Sequence, residues 1–243
     1  MKTLIIGAAS TLGREVARSL AKRQHHLFLV GSDARDLEAL ARDLSVRFNA
    51  KVQYIMMDMI ALDTKKLMKE VHNKFGRIDN LLCLTGFHHE DENQFMDEKE
   101  LTRLTLVNFE APVKIINRFI EDLTSSTQGN CVGLGSIFAQ RGRRTSIIYG
   151  SCKHGLEYYF EALRHRFANT RCRVQFYRLG WVETQDSRDN RFFKPASVVM
   201  VAESIANGLG KDRLNSYLPG WWQFVVFFYK LLPWFIFKRL TKF

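Results

Sequence analysis

Hydrophobic and polar positions along the 243-residue chain follow two rhythms. Short, nearly continuous apolar runs at Thr3–Ile6, His26–Val30, Lys51–Met57, Ile78–Leu84, Asn130–Leu134 and Val174–Arg178 read as buried strands. Between them, apolar residues three and four apart mark helices over Leu12–Arg23, Leu37–Phe48, Lys65–Phe75, Glu100–Leu123 and Gly150–Phe167. Such alternation predicts a single α/β domain, a doubly wound parallel sheet with helices on both faces. Four prolines and no low-complexity linker leave no domain boundary before position 210. The first residues, Met1–Ser10, read as a strand entering a turn; their apolar run is too short for a signal peptide and no cleavage site follows.

The rhythm breaks near the C-terminus. Residues 1–216 form the expected domain, and residues 217–243 an aromatic, basic tail. Trp221–Phe237 is 17 residues long and interrupted by Gln223, Lys230 and Pro233. A spanning helix needs about 20 mostly apolar residues. Two readings stay open. The segment either folds back over the pocket or into a subunit contact, or lies in a membrane plane with Lys230, Lys238, Arg239 and Lys242 facing anionic lipid.

Composition narrows the class. With 46% apolar and 25% charged residues the chain can bury a sizeable core, which excludes disordered, collagen-like and disulfide-scaffold classes. Cys83, Cys131, Cys152 and Cys172 lie scattered, without metal-ligand spacing, and suit a reducing, cytoplasmic compartment. The net charge of +11 is lopsided: 18 basic against 16 acidic side chains in residues 1–120, but 18 against 9 afterwards. A basic half points to an anionic partner, and no recognition motif makes that partner a nucleic acid.

Three groups of residues carry candidate chemistry. Gly7-Ala8-Ala9-Ser10-Thr11-Leu12-Gly13 joins the first strand to a helix, as a turn presenting backbone N–H groups to a pyrophosphate must. A plain tight turn fits it equally. Tyr149 and Lys153, four apart, share one helix face, where a cation beside a phenol lowers its pKa toward neutrality. Ser136 follows a strand end, where hydroxyls reach a crevice at the carboxyl edge of a sheet. The run His88-His89-Glu90-Asp91-Glu92 reads as a solvated loop, since adjacent side chains rarely converge on one metal ion. Arg141-Gly142-Arg143-Arg144 sits beside the expected pocket, open to an anionic ligand or to solvent.

Taken in order, these residues resemble the short-chain dehydrogenase/reductase family in its compact form, over roughly residues 2–220. The resemblance implies a Rossmann-like fold. It places Gly7, Ser10, Thr11, Leu12 and Gly13 on the cofactor phosphates, Asp58 and Met59 at the adenine, and Thr85 and Gly86 along the cofactor. It likewise sets Gly180, Val182 and Thr184, from Gly180-Trp181-Val182-Glu183-Thr184, beside the nicotinamide. Asn108, Ser136, Tyr149 and Lys153 become the catalytic set: Tyr149 the proton donor or acceptor, Lys153 the ribose ligand, Ser136 the substrate-oxygen ligand, and Asn108 the holder of a water behind Lys153. The chain departs from the family pattern where Thr11 replaces a glycine, where Cys83-Leu84-Thr85-Gly86 keeps only the glycine of its segment, and where Leu179 replaces a proline.

Gly31 leaves no acid to hold the ribose hydroxyls, so NADP is favoured over NAD, with Ser32, Arg14 or Arg35 on the 2′-phosphate; Asp33 bending back would restore NAD. The implied activity is hydride transfer to or from a carbonyl or alcohol of a small apolar, lipid-like substrate. Tyr158, Tyr159, Phe160 and Phe167 lie on the Tyr149 helix, which in this family commonly forms a dimer bundle, and a homo-oligomer, dimer or tetramer, is expected. The alternative is a non-catalytic cofactor-binding or scaffold protein, held on the cytoplasmic face of a membrane by its tail.

Overall fold

The computed structural model describes residues 1–88, 92, 96–183, 194–211 and 216–240. Seven parallel strands form one sheet: β1 (Lys2–Ile6), β2 (His26–Gly31), β3 (Val52–Met56), β4 (Asn80–Cys83), β5 (Asn130–Ser136), β6 (Arg173–Leu179) and β7 (Ser216–Leu218), in the order β3-β2-β1-β4-β5-β6-β7. The connections are α1 (Thr11–Lys22), α2 (Ala34–Phe48), α3 (Thr64–Phe75), α4 (Glu98–Thr105), α5 (Ala111–Ser125), α6 (Ile147–Arg166) and α7 (Val198–Gly208).

Side chains alternate along each strand, and both faces of the sheet are buried. Ile5 and Leu29 pack under α1 and α7 with Val16, Leu20, Ala202 and Ile205. Leu4, Ile6 and Phe28 point the other way, onto Ile115 and Phe119 of α5 and Leu156 and Phe160 of α6. A sheet buried on both sides explains why its strands are continuous apolar runs. The expected doubly wound architecture is the observed one.

Two differences from the sequence reading have local causes. The helix expected over Glu100–Leu123 is two helices joined by a π-helical turn, Leu106–Glu110, where the Ala111 N–H reaches back to the Leu106 carbonyl. Pro112, in the first turn of α5, has no N–H to donate, so the bonding register shifts there. β7 is too short for periodicity to reveal, and it draws Tyr217 and Leu218, the first residues of the expected tail, into pairing with Arg178 and Leu179. Beyond it the chain turns into α8 (Trp222–Leu231) and α9 (Trp234–Phe237), separated by Pro233.

The tail folds back on the domain. Trp222 and Val226, four apart, are 3% and 4% exposed and pack on Ile137, Phe138, Trp181 and Tyr217. A Cβ on Gly180 would lie 1.9 Å from the Trp222 indole nitrogen, so only glycine admits this contact. Arg141 closes the C-terminal end of α8, donating to the carbonyls of Tyr229 at 2.6 Å and Leu232 at 2.8 Å. Its guanidinium lies 3.8 Å from the Phe237 ring centroid. A cation on orphan carbonyls at a helix end is favourable twice over, by hydrogen bonding and by the helix dipole.

Candidate active site

Strand order reverses between β1 and β4, and parallel sheets of this type open a crevice at the carboxyl ends of their strands there. The cleft at that point has a volume of about 400 Å³. It brings together Gly7, Ser10, Ser32, Asp58, Met59, Thr85 and Gly86, seven of the residues singled out by sequence. A larger cavity, about 780 Å³, opens at the amino ends of β5 and β6, beside Gln128 and Arg173 and away from this chemistry.

The floor of the cleft is a tight turn. Gly7 sits at φ +83°, and a Cβ on Gly13 would fall 2.2 Å from the Gly7 carbonyl oxygen. Ser10 caps α1, accepting from the Gly13 N–H at 3.0 Å while its hydroxyl donates to the Gly7 carbonyl at 2.8 Å. Thr11, where a glycine was expected, is exposed at the first position of α1, and Leu12 is buried behind it. First-turn N–H groups have no partner within their helix and face whatever anion arrives.

Along the wall, the Thr85 hydroxyl is buried without a hydrogen-bond partner. Gly86 is flanked by Lys153 and Asn108; a Cβ there would lie 3.7 Å from Lys153 Nζ and 3.9 Å from Asn108 Oδ1. An orphan hydroxyl over a glycine-lined recess fits a dinucleotide.

The catalytic candidates converge at the other end. Ser136 ends β5, accepting at Oγ from the Phe138 N–H at 3.2 Å, and its hydroxyl acts to lower the pKa of the Tyr149 phenol. Lys153, 2% exposed, donates to the carbonyls of Thr85 at 2.9 Å and Leu134 at 3.2 Å, using two of its three N–H groups. Asn108, in the π-helical turn, donates to the carbonyls of Phe87 (2.7 Å) and Leu104 (3.0 Å) and accepts from the Phe87 N–H (3.1 Å). It clamps the backbone beside Gly86.

The electrostatics correct one expectation. Tyr149 is not shifted toward neutrality: burial pushes its phenol up to about 12, the Glu92 charge adds to the rise, and the Ser136 hydroxyl only partly opposes it. Lys153 Nζ lies 6.0 Å from the Tyr149 ring centroid. Burial brings Lys153 itself down to about 8. Desolvation is the largest influence on both groups and disfavours both charged forms.

Other expectations fare differently. Arg35 lies outside the cleft lining, its side chain 94% exposed, 3.7 Å from Asp33. Asp33 caps α2, accepting from the N–H groups of Arg35 and Asp36, and these bonds lower its pKa. Arg14 pairs with Asp36 at 2.6 Å. Gly180 and Val182 lie beneath Trp222 and in the core respectively. Thr184, His89, Glu90 and Asp91 lie outside the described residues. Among the described residues no cluster of possible metal ligands exists. Arg141 and Arg143 are not solvated cations: the first holds α8, and the second lies 4.4 Å from the Phe138 ring centroid. On α6, Phe160 is core, Tyr159 accepts from the Asn117 amide, and Tyr158 faces outward.

Glu92, expected in a solvated loop, is 4% exposed. One carboxylate oxygen accepts from the Ile148 N–H at 2.9 Å, at the start of the Tyr149 helix; the other has no hydrogen-bond partner. Only its distance in sequence from α6 hid this role.

Sheet order, cleft and Tyr149–Lys153 pair define a doubly wound α/β protein with its polar site at the strand-order reversal. Over residues 2–192 the chain matches the family model for short chain dehydrogenase, and it belongs to that family. It is 24% identical over 226 residues to an uncharacterized oxidoreductase of Myxococcus xanthus, covering 92% of this chain and 88% of that one. An uncharacterized oxidoreductase of Saccharomyces cerevisiae is 24% identical over 165 residues, spanning 68% of this chain but only 52% of that relative. Among solved structures, a short-chain dehydrogenase from Sphingobium yanoikuyae in complex with NADPH superimposes with a TM-score of 0.81 at 20% identity, covering 95% of this chain and 94% of that one. An alcohol dehydrogenase from Comamonas testosteroni gives 0.80 at 18% identity, covering 96% and 95%. The chain is therefore an oxidoreductase-family protein on a Rossmann-like fold.

Proposed function

We propose that the protein is an NADP(H)-dependent reductase of a carbonyl on a small apolar substrate, with Tyr149 as proton donor. The observation that carries this reading is the placement of Lys153 against Gly86 of the glycine-lined cleft, with Tyr149 and Ser136 beside it. In the cleft, the N–H groups of Thr11 and Leu12 would hold the pyrophosphate, Asp58 and Met59 the adenine, and Thr85, Gly86 and Lys153 the nicotinamide side. Gly180, Val182 and Thr184 are assigned to the nicotinamide on the family resemblance alone.

A bound nicotinamide supplies the hydride. The chain's own residues supply the proton and hold the acceptor. Tyr149, with a pKa near 12, stays a neutral phenol at physiological pH and has a proton to give. The Ser136 hydroxyl, facing the same point, stabilises charge developing on the substrate oxygen. Lys153 holds its ammonium beneath the site and attracts the phenolate once the proton has left.

NADP over NAD rests on Gly31. Even a Cβ there would lie 3.0 Å from that of Ala9, so no carboxylate occupies the ribose position. Asp33 lines the same cleft, with one carboxylate oxygen, Oδ1, held in the cap of α2. Ser32 in the cleft, with Arg14 and the exposed Arg35 near its rim, is the polar set offered to a 2′-phosphate. NADPH-complexed relatives of the same fold support the choice.

Tyr149→Phe tests the acid. NADPH consumption with a panel of apolar ketones should fall about 10²–10⁴-fold, the range for losing a general acid, while NADPH binding is unchanged. Turnover within threefold of the wild type would remove Tyr149 from the chemistry.

A further inference from the structure

The outer face of the folded-back tail has no use in the chemistry above. Trp222 and Val226 face the domain, and the opposite side of α8 and α9 is exposed and apolar. Phe224, Phe227, Phe228, Leu231, Trp234 and Phe235 are 59–68% exposed. Scattered surface hydrophobics are ordinary, but six large ones on two consecutive short helices make a patch. Residues 217–243 contain no Asp or Glu, while Lys230, Lys238 and Arg239 are exposed beside the aromatics.

We propose that this face docks the protein on an anionic phospholipid surface, with α8 and α9 lying in the plane of the headgroups. Trp and Phe prefer the headgroup boundary, and an apolar face flanked by Lys and Arg binds there through buried area plus attraction to lipid phosphate. The helices are 10 and 4 residues long, and none among the described residues is long and apolar enough to cross a membrane. In-plane contact is the arrangement such lengths allow. A second copy of the chain suits the face less. A two-fold contact through it would bring Lys230, Lys238 and Arg239 against their own images, with no carboxylate in residues 217–243 to pair them.

The face is preformed. Arg141 fixes the end of α8, and Trp222 is seated on Gly180. Its inner side rests on Phe138 and Trp181, two residues beyond Ser136 and one beyond Gly180. Docking therefore sets the substrate end of the cleft beside the bilayer, the position for drawing an apolar carbonyl compound from lipid. The docking claim itself does not depend on the proposed chemistry.

Sedimentation of the full chain with vesicles tests it without cofactor or substrate. Vesicles of phosphatidylcholine alone are compared with vesicles holding one third phosphatidylglycerol. The wild type should bind the anionic vesicles at least tenfold more tightly, with affinity falling as salt rises. Phe224→Ser/Phe228→Ser/Phe235→Ser should lose at least tenfold while keeping its circular dichroism spectrum, since all three side chains already face outward. Lys230→Glu/Lys238→Glu should abolish the preference for anionic lipid. Wild type binding neither vesicle, binding both equally, or binding unchanged in the serine variant would each overturn the proposal. So would light scattering that shows a wild-type dimer reduced to monomer by the serine substitutions, because the face would then be a contact between copies.

Discussion

Tyr149 and Lys153 stand four residues apart on one helix, and burial moves their proton affinities in opposite senses, up to about 12 and down to about 8. Lys153 thereby makes a pH-dependent contribution to stability. In the unfolded chain its pKa is near the ordinary value of 10.5, so between about 8 and 10.5 the unfolded state binds more protons than the folded one. Stability gains from Lys153 as pH rises through that window, and below pH 8 the cost of its buried charge is fully present. The gain is on the order of 3 kcal/mol. Urea titrations of the wild type and Lys153→Met at pH 7.5 and pH 10 should show the difference moving in favour of the wild type as pH rises. A difference independent of pH would mean that the ammonium is not desolvated. The spacing of Tyr149 and Lys153 on one helix face and of Ser136 after a strand suggested this set only together with the family resemblance, and its catalytic role stands as proposed. The direction of the Tyr149 shift was not legible in the sequence, because spacing reports the neighbouring cation but not the burial. Glu92 was hidden for a related reason, since its hydrogen bonds go to α6, 56 and 57 residues away.

At the level of elements, periodicity located the long, amphipathic pieces and missed those that tertiary contacts make. β7 has three residues and exists because β6 offers an edge to pair with. The π-helical turn interrupts an apolar pattern that runs straight through it, and Pro112 was the available signal. Of the two readings of the tail, the structure shows the inner face folded back on the domain and leaves the outer face exposed, which is where the membrane reading stands as a proposal. Trp222 is the hinge of that arrangement, filling the space that Gly180 leaves. Trp222→Ala should cost about 3–5 kcal/mol, the range for emptying an aromatic site in a packed core. Chemical denaturation should show a matching fall in the transition midpoint. A loss under about 1 kcal/mol would mean that α8 is held by Arg141 alone and that its apolar seat contributes little.

Across the whole molecule, one topological fact places everything else. The strand order reverses between β1 and β4, so the loops after both strands diverge and leave a cleft between them. Gly7, Ser10, Thr85 and Gly86 line it because they follow those two strands, while Ser136 ends the adjacent β5. This much was legible in the alternation of strands and helices, because a parallel sheet built from such units has few other solutions. The nucleotide preference was less so. As proposed, it turns on how far the cap of α2 holds Asp33, which no spacing rule supplies. On the proposed reading this cleft holds a nicotinamide dinucleotide and prefers the phosphorylated form. The most direct test of that reading is a fluorescence titration of the full chain with NADPH and, in parallel, with NADH. Saturable binding of both is expected, NADPH at least fivefold the tighter. No saturation by either at millimolar concentration, with protein shown to be folded, would contradict the reading.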